Sequence, residues 1–159
     1  MNPPDWVAER VAALGLSPHP EGGFYREVYR SALTLPLPRG DRSVLTAIHF
    51  VLPAGGVSRW HRVRADECWV FVDGDPLELA TLDDVGRVTN VQLGRGFAQT
   101  AVSVVPAGLW QAARSSGALG SHVVCTVAPG FDFRDFAMAA SGELQRRFPQ
   151  AAAAIARFG

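Results

Sequence analysis

From Phe24 onward the chain is cut into short β-forming runs by closely spaced turn signals. The runs are FYREVYRS, SVLTAIHFVL, VSRWHRV, ECWVFV, LELATL, RVTNVQL, AVSVVP, LWQAARS and SHVVCTVAP. Between them stand PRGD, PAGG, DGDP, DDVG, GRG, PAG and SSGALG, each rich in the residues that reverse a chain. A helix needs apolar residues at a spacing of about 3.6 over some three turns, and no interval here leaves room for one. Short strands in regular succession with no helices between them predict an all-β sandwich or barrel over residues 24–137.

Helix is confined to the two ends. Asp5 follows two prolines and can cap a helix over residues 5–14, in which Val7, Val11 and Leu14 form an apolar stripe that Gly15 ends. SPHPEGG then reads as a loop. Ser141 can cap a first segment of a helical tail over residues 141–158, and Pro149 opens a second. No repeat and no linker divides the chain, and 159 residues suit one domain, residues 1–159.

Charge and composition narrow the partners. Lys plus Arg and Asp plus Glu both number 15, so the net charge is zero. The arginines of the first half form no run longer than two, which argues against a nucleic-acid track. No apolar run approaches the roughly 20 residues that span a bilayer, and the N-terminus lacks the features of a signal peptide. Cys68 and Cys125, the two cysteines, each sit in an apolar run without a CxxC partner, and read as reduced core thiols of a cytoplasmic protein.

The chemistry concentrates in GGVSRWHRVRADECWVFVDG, Gly55 to Gly74. Side chains alternate along an extended strand, which places Arg59, His61 and Val63 on one face. Glu67, Trp69 and Phe71 share a face of the next strand. With RADE as a turn or bulge, His61 and Glu67 face each other across adjacent strands. Such a pair can ligate a divalent metal or work as a general acid and base. A buried, salt-bridged His–Glu pair without further function has the same spacing.

The frame around the pair carries more information. Gly55, five residues, His61, one residue, Val63, three residues, Glu67, six residues and Gly74 resemble the first motif of the cupin superfamily, which has a second His where Val63 stands. PAGLWQ, with Pro106 and Gly108, resembles the second motif, with Gln111 in its His position. HPEGGFYREVYRS, LTAIHFVL, SRWHRVRADECWVF, PAGLWQAA and CTVAPGFDFRDFAMA together resemble one largely uncharacterised cupin subfamily, whose PAGxWQ block carries Gln at this position. The resemblance implies a jelly-roll β-sandwich and a homodimer, and no settled reaction.

Against the four ligands of a closed zinc site, the resemblance leaves at most His61, Glu67 and the neutral carbonyl of Gln111. A pocket without cofactor is therefore the expectation, and a divalent metal on those three residues the alternative. Further pocket candidates are His49 in TAIHF, Arg59 for an acid group, Trp69 and Phe71 as aromatic walls, and Tyr25 and Glu27 on one face of the first strand. Either face of that strand, residues 24–30, could point inward. Aromatic walls would desolvate Glu67 and raise its pKa. The reading is a small-molecule-binding cupin, acting as a metal-independent isomerase or epimerase through catalytic His61 and Glu67. The alternatives are a binding protein without chemistry and a weakly metal-dependent enzyme.

Overall fold

Two antiparallel sheets stacked face to face make up the body of the computed structural model, which describes residues 5–159. In chain order the strands are β1 Ser17–Pro18, β2 Phe24–Arg30, β3 Thr34–Leu35, β4 Arg42–Ser43, β5 Thr46–Pro53, β6 Val57–Val63 and β7 Asp66–Gly74. They continue as β8 Leu77–Leu82, β9 Val88–Leu93, β10 Val102–Val105, β11 Trp110–Ser115, β12 Gly120–Ala128 and β13 Phe136–Met138. The six-stranded sheet runs β1-β2-β5-β12-β7-β10 and the five-stranded sheet β13-β6-β11-β8-β9, with β3 and β4 forming a separate ribbon. The turn-punctuated runs of the sequence are thus strands of a β-sandwich.

Apolar side chains from both sheets meet between them. Phe50, Leu52, Trp69, Val105, Val123 and Cys125 come from one sheet, and Leu77, Leu79, Leu93 and Ala113 from the other. A second core covers the outer face of the five-stranded sheet. There Trp60, Ala80, Leu82, Trp110 and Ala112 pack against Leu144, Phe148, Ile155 and Phe158 of the C-terminal tail. The Trp60 indole N–H donates to the Ile155 carbonyl at 2.9 Å, so this interface satisfies the polar edge of that side chain.

The terminal helices follow the sequence with one change. Helix α1, Trp6–Leu14, is capped by Asp5, whose Oδ1 accepts from the N–H groups of Val7 and Ala8, and it ends at Gly15 in the left-handed conformation. In the tail, α2 is Glu143–Arg147 and α3 is Ala152–Ala156, joined through a 3-10 turn at Pro149–Ala151. Ser141 is not the expected cap. Gly142 occupies that position, and Glu143 Oε2 accepts from the Ala140 N–H instead. Among the described residues no helix is long and apolar enough to cross a membrane.

One irregularity decides what faces inward. Across β11, Gln111 pairs with His61 but Ala113 pairs with Ser58, so Arg59 and Trp60 together oppose Ala112. This bulge resets the alternation of β6. Ser58, His61 and Val63 are buried, whereas Arg59 is exposed. A second bulge lies in β2, between Glu27 and Tyr29.

Candidate functional site

Between the sheets opens a cavity of about 530 Å³, within the usual range for small-molecule sites. β2, β5, β6, β7 and β12 contribute Tyr25, Ile48, Phe50, His61, Val63, Glu67, Cys125 and Val127. The loop before β2 adds His19 and Glu21, the segment before β13 adds Phe131 and Phe133, and β13 itself adds Phe136.

His61 and Glu67 are brought together on this wall. His61 Nδ1 lies 2.8 Å from the Arg59 carbonyl, which can only accept, so Nδ1 carries the ring proton. The lone pair of Nε2 is thereby turned toward Glu21 Oε2, 3.3 Å away. Burial pushes the His61 pKa down, against the opposing pull of Glu67. Glu67 is pushed up to about 7, chiefly by burial, with His61 and the donors around it holding it back.

Glu21 is the member that strand parity could not place. It sits in HPEGG, between β1 and β2, in a turn closed by Gly22 N–H to His19 O at 3.0 Å and His19 N–H to Gly23 O at 3.0 Å. Gly22 has φ +116, and a Cβ there would stand 2.2 Å from the Val57 carbonyl oxygen. Only glycine lets the loop press this closely on β6. The Glu21 Oε1 accepts from the Ser58 hydroxyl at 2.8 Å, while Oε2 lies 3.3 Å from both His19 Nδ1 and His61 Nε2. Burial raises the Glu21 pKa to about 8, and the Ser58 bond opposes that only in part. Burial and the neighbouring His61 lower His19 to about 4. At neutral pH these are therefore close contacts among neutral groups. A proton on Glu21 can be donated to either imidazole.

Behind Glu67 stands Gln111. The Trp69 indole N–H, a donor only, reaches Gln111 Oε1 at 2.9 Å, which fixes the orientation of the amide. Gln111 Nε2 then donates to Glu67 Oε2 at 2.5 Å. The Cys125 thiol lines the same wall, and its pKa is pushed well up by burial and the adjoining carboxyl groups.

The family model described as Cupin superfamily (DUF985) matches residues 8–139. This chain belongs to that cupin family. It is 32% identical to a protein from Shewanella oneidensis of known structure, over 100% of this chain and 98% of that one, with TM-score 0.89. A hypothetical protein from Leishmania major is also 32% identical, over 96% and 97% of the two chains, with TM-score 0.87. Oxalate decarboxylase from Bacillus subtilis shares the fold at 16% identity and TM-score 0.56, matching 89% of this chain and 37% of that protein. No curated protein matches the sequence.

Against the metal site of the cupin motifs, the donors of this member do not assemble. Val63 has no ligand atom. The oxygen of Gln111 is taken by Trp69, and its amide faces Glu67 rather than the cavity. Among the described residues no group of three His, Cys, Asp or Glu side chains has the arrangement of a metal site, the contacts of Glu21 with His19 and His61 included.

The remaining pocket candidates divide. Tyr25 and Glu27 line the cavity, and the β2 bulge beyond Glu27 turns Arg30 to the same side. Arg26, opposite His49 in the register, reaches the cavity mouth at the sheet edge beside Gly15. Trp69 and Phe71 pack in the core rather than on the cavity wall. Arg59 is displaced outward by the β6 bulge, and its guanidinium donates to the Pro20 carbonyl at 2.6 Å. His49 lies on the outer face, since its neighbours Ile48 and Phe50 point inward. Its Nδ1 meets His122 Nε2 at 3.0 Å.

Proposed function

We propose that this cupin binds a small molecule in the cavity and acts on it as an isomerase or epimerase without a metal, by proton transfer. The observation that carries the reading is the cluster of Glu21, His61 and Glu67 on the cavity wall, with two carboxyl groups held near neutral pKa. Groups poised near the working pH exchange protons most effectively, and neighbouring carboxyls of unlike pKa divide the roles of base and acid.

Glu67, the more acidic of the two, serves as base. It takes a proton from a carbon adjoining a carbonyl, and the electron pair moves onto the carbonyl oxygen. Glu21 carries the proton that this oxygen receives, directly or through His61 Nε2. Return of a proton to the other face of the same carbon, with the enol O–H proton going back to Glu21, completes epimerisation and regenerates the carbonyl. Where the first carbon carries a hydroxyl, protonation of the former carbonyl carbon with loss of that hydroxyl's proton to Glu21 completes isomerisation. Cytoplasmic location and dimer formation belong to the same reading.

The experiment is hydrogen exchange. Small keto acids are incubated with the protein in deuterated water and followed by proton NMR. Enzyme-dependent loss of a C–H signal, or appearance of an isomer, is expected. His61→Ala should abolish it while the variant keeps its cooperative unfolding. Ligands that bind and stabilise the protein without any exchange would reduce the protein to a binding module.

A further inference from the structure

The cavity is chemically graded from its inner wall to its mouth. Inside stand Glu21, His61 and Glu67, with no cation beside them to balance a ligand's negative charge. An anion buried there would lack the countercharge that burial demands. The middle is apolar, walled by Ile48, Phe50, Val127 and Phe133 among others. Charged side chains line it only at the exposed edge, where Arg26, Glu27, Arg30 and Asp132 lie.

Most of these charges are already paired. Arg30 grips Glu27 through Nε and Nη2, both at 2.8 Å. Asp132 is gripped by Arg134 in the same way, at 2.9 and 2.7 Å. Arg26 differs. Its Nη1 donates to the Leu14 carbonyl at the end of α1, at 3.0 Å, and no carboxylate among the described residues lies within ion-pair distance. The backbone contact orients the guanidinium and leaves its other N–H groups free, in the fork that grips a carboxylate.

We propose that the cavity takes a small monocarboxylic acid with an apolar body, bound with its carboxylate outward on Arg26 and its other polar end inward against Glu21, His61 and Glu67. The inner end of this arrangement rests on the proton-transfer reading; the carboxylate on Arg26 does not. One uncompensated cation matches one negative charge. A phosphate dianion would bring excess charge beside Glu27 and Asp132. The apolar middle excludes sugars and other hydroxyl-rich bodies, which would lose their hydration without replacement.

Calorimetric titration tests the assignment. The probes are phenylacetate and 4-methylpentanoate, their amides phenylacetamide and 4-methylpentanamide, and phenyl phosphate. The acids are expected to bind the wild-type protein, with the amides and phenyl phosphate roughly tenfold weaker, the scale of a charge-assisted contact. Arg26→Gln should bring the acids down to the level of their amides and leave the amides unchanged. Arg87→Gln, an exposed arginine outside the cavity, should alter nothing. Equal binding of acids and amides, equal binding of phenyl phosphate, an Arg26→Gln variant that binds the acids as wild type does, or no binding of either acid would each overturn the proposal. The comparison of acid with amide on the wild-type protein needs no variant to fold. If the acids bind through Arg26 while no substrate shows exchange dependent on His61, the ligand class stands and the proton-transfer reading falls.

Discussion

Gln111 donates its side-chain amide to Glu67 Oε2 at 2.5 Å while accepting from Trp69 at 2.9 Å, so the residue at a ligand position of the cupin motif is turned into a support for the carboxyl group beside it. The bond favours the ionised form of Glu67 and works against the burial that raises its pKa. Gln111→Leu removes both contacts. The Glu67 pKa should then climb above its present value of about 7, read from carboxyl carbon shifts across a pH titration. The buried Trp69 N–H loses its partner, so unfolding in urea should show a loss of about 1–3 kcal/mol. An unchanged Glu67 titration would mean that the amide does not tune it.

The buried acids make stability fall in alkali. Glu21 keeps its proton to about 8 in the folded chain, against an ordinary value of 4.5, and Glu67 keeps its own to about 7. The unfolded chain binds fewer protons between those values, so stability decreases as pH rises through them. His19 acts oppositely: its folded pKa of about 4, against 6.5, removes stability as pH falls through that window. Above 6.5 only the carboxyl effect remains. Wild-type stability should therefore decline from pH 6.5 to 8, and Glu21→Gln, which keeps a donor toward His61, should flatten that decline. Parallel urea-denaturation profiles for the two proteins would remove Glu21 as the source.

The sandwich was legible because turns and β-forming runs alternate along the chain, and His61 and Glu67 because their spacing sits in a recognisable frame. What alternation misplaced is equally specific. Arg59 leaves the cavity because a single extra residue in β6 resets the parity beyond it. Bulges depend on the pairing partner, which the strand's own sequence does not contain. His49 falls on the outer face because the inward-facing residues of β5 are Ile48 and Phe50. An apolar strand buried on both faces gives no alternation from which to choose. Glu21 and His19 escaped because they lie in a loop, where side chains have no period. The visible signal was the pair of glycines after Glu21, which marks close backbone approach without naming the partner.

Those glycines give a prediction of their own. Gly22→Ala would place a Cβ 2.2 Å from the Val57 carbonyl oxygen at a φ of +116. The backbone conformation alone costs on the order of 1–3 kcal/mol for a residue with a side chain, and relief of the clash adds to it. The loop can give way more readily than β6, which is paired on both sides. Glu21 should then move off Ser58 and His61. The variant is expected to unfold at lower urea and also to show a shallower stability decline between pH 6.5 and 8. A destabilised variant that keeps the full decline would show that the loop holds Glu21 in place without Gly22.

Divalent metals supply the last test. A ligand that binds only the folded state raises the melting temperature by an amount that grows with the logarithm of its concentration above Kd. The described side chains do not converge on a metal, and Gln111 spends both ends of its amide on Trp69 and Glu67. Zinc, manganese, iron(II) and nickel should accordingly leave the melting temperature of the chelator-treated protein unchanged across a concentration series. If one of them raises it progressively with concentration, His61→Ala decides where it binds. Loss of the effect in that variant would place the metal on His61 and its neighbours Glu21 and Glu67, and would return this cupin to the metal-dependent members of its superfamily.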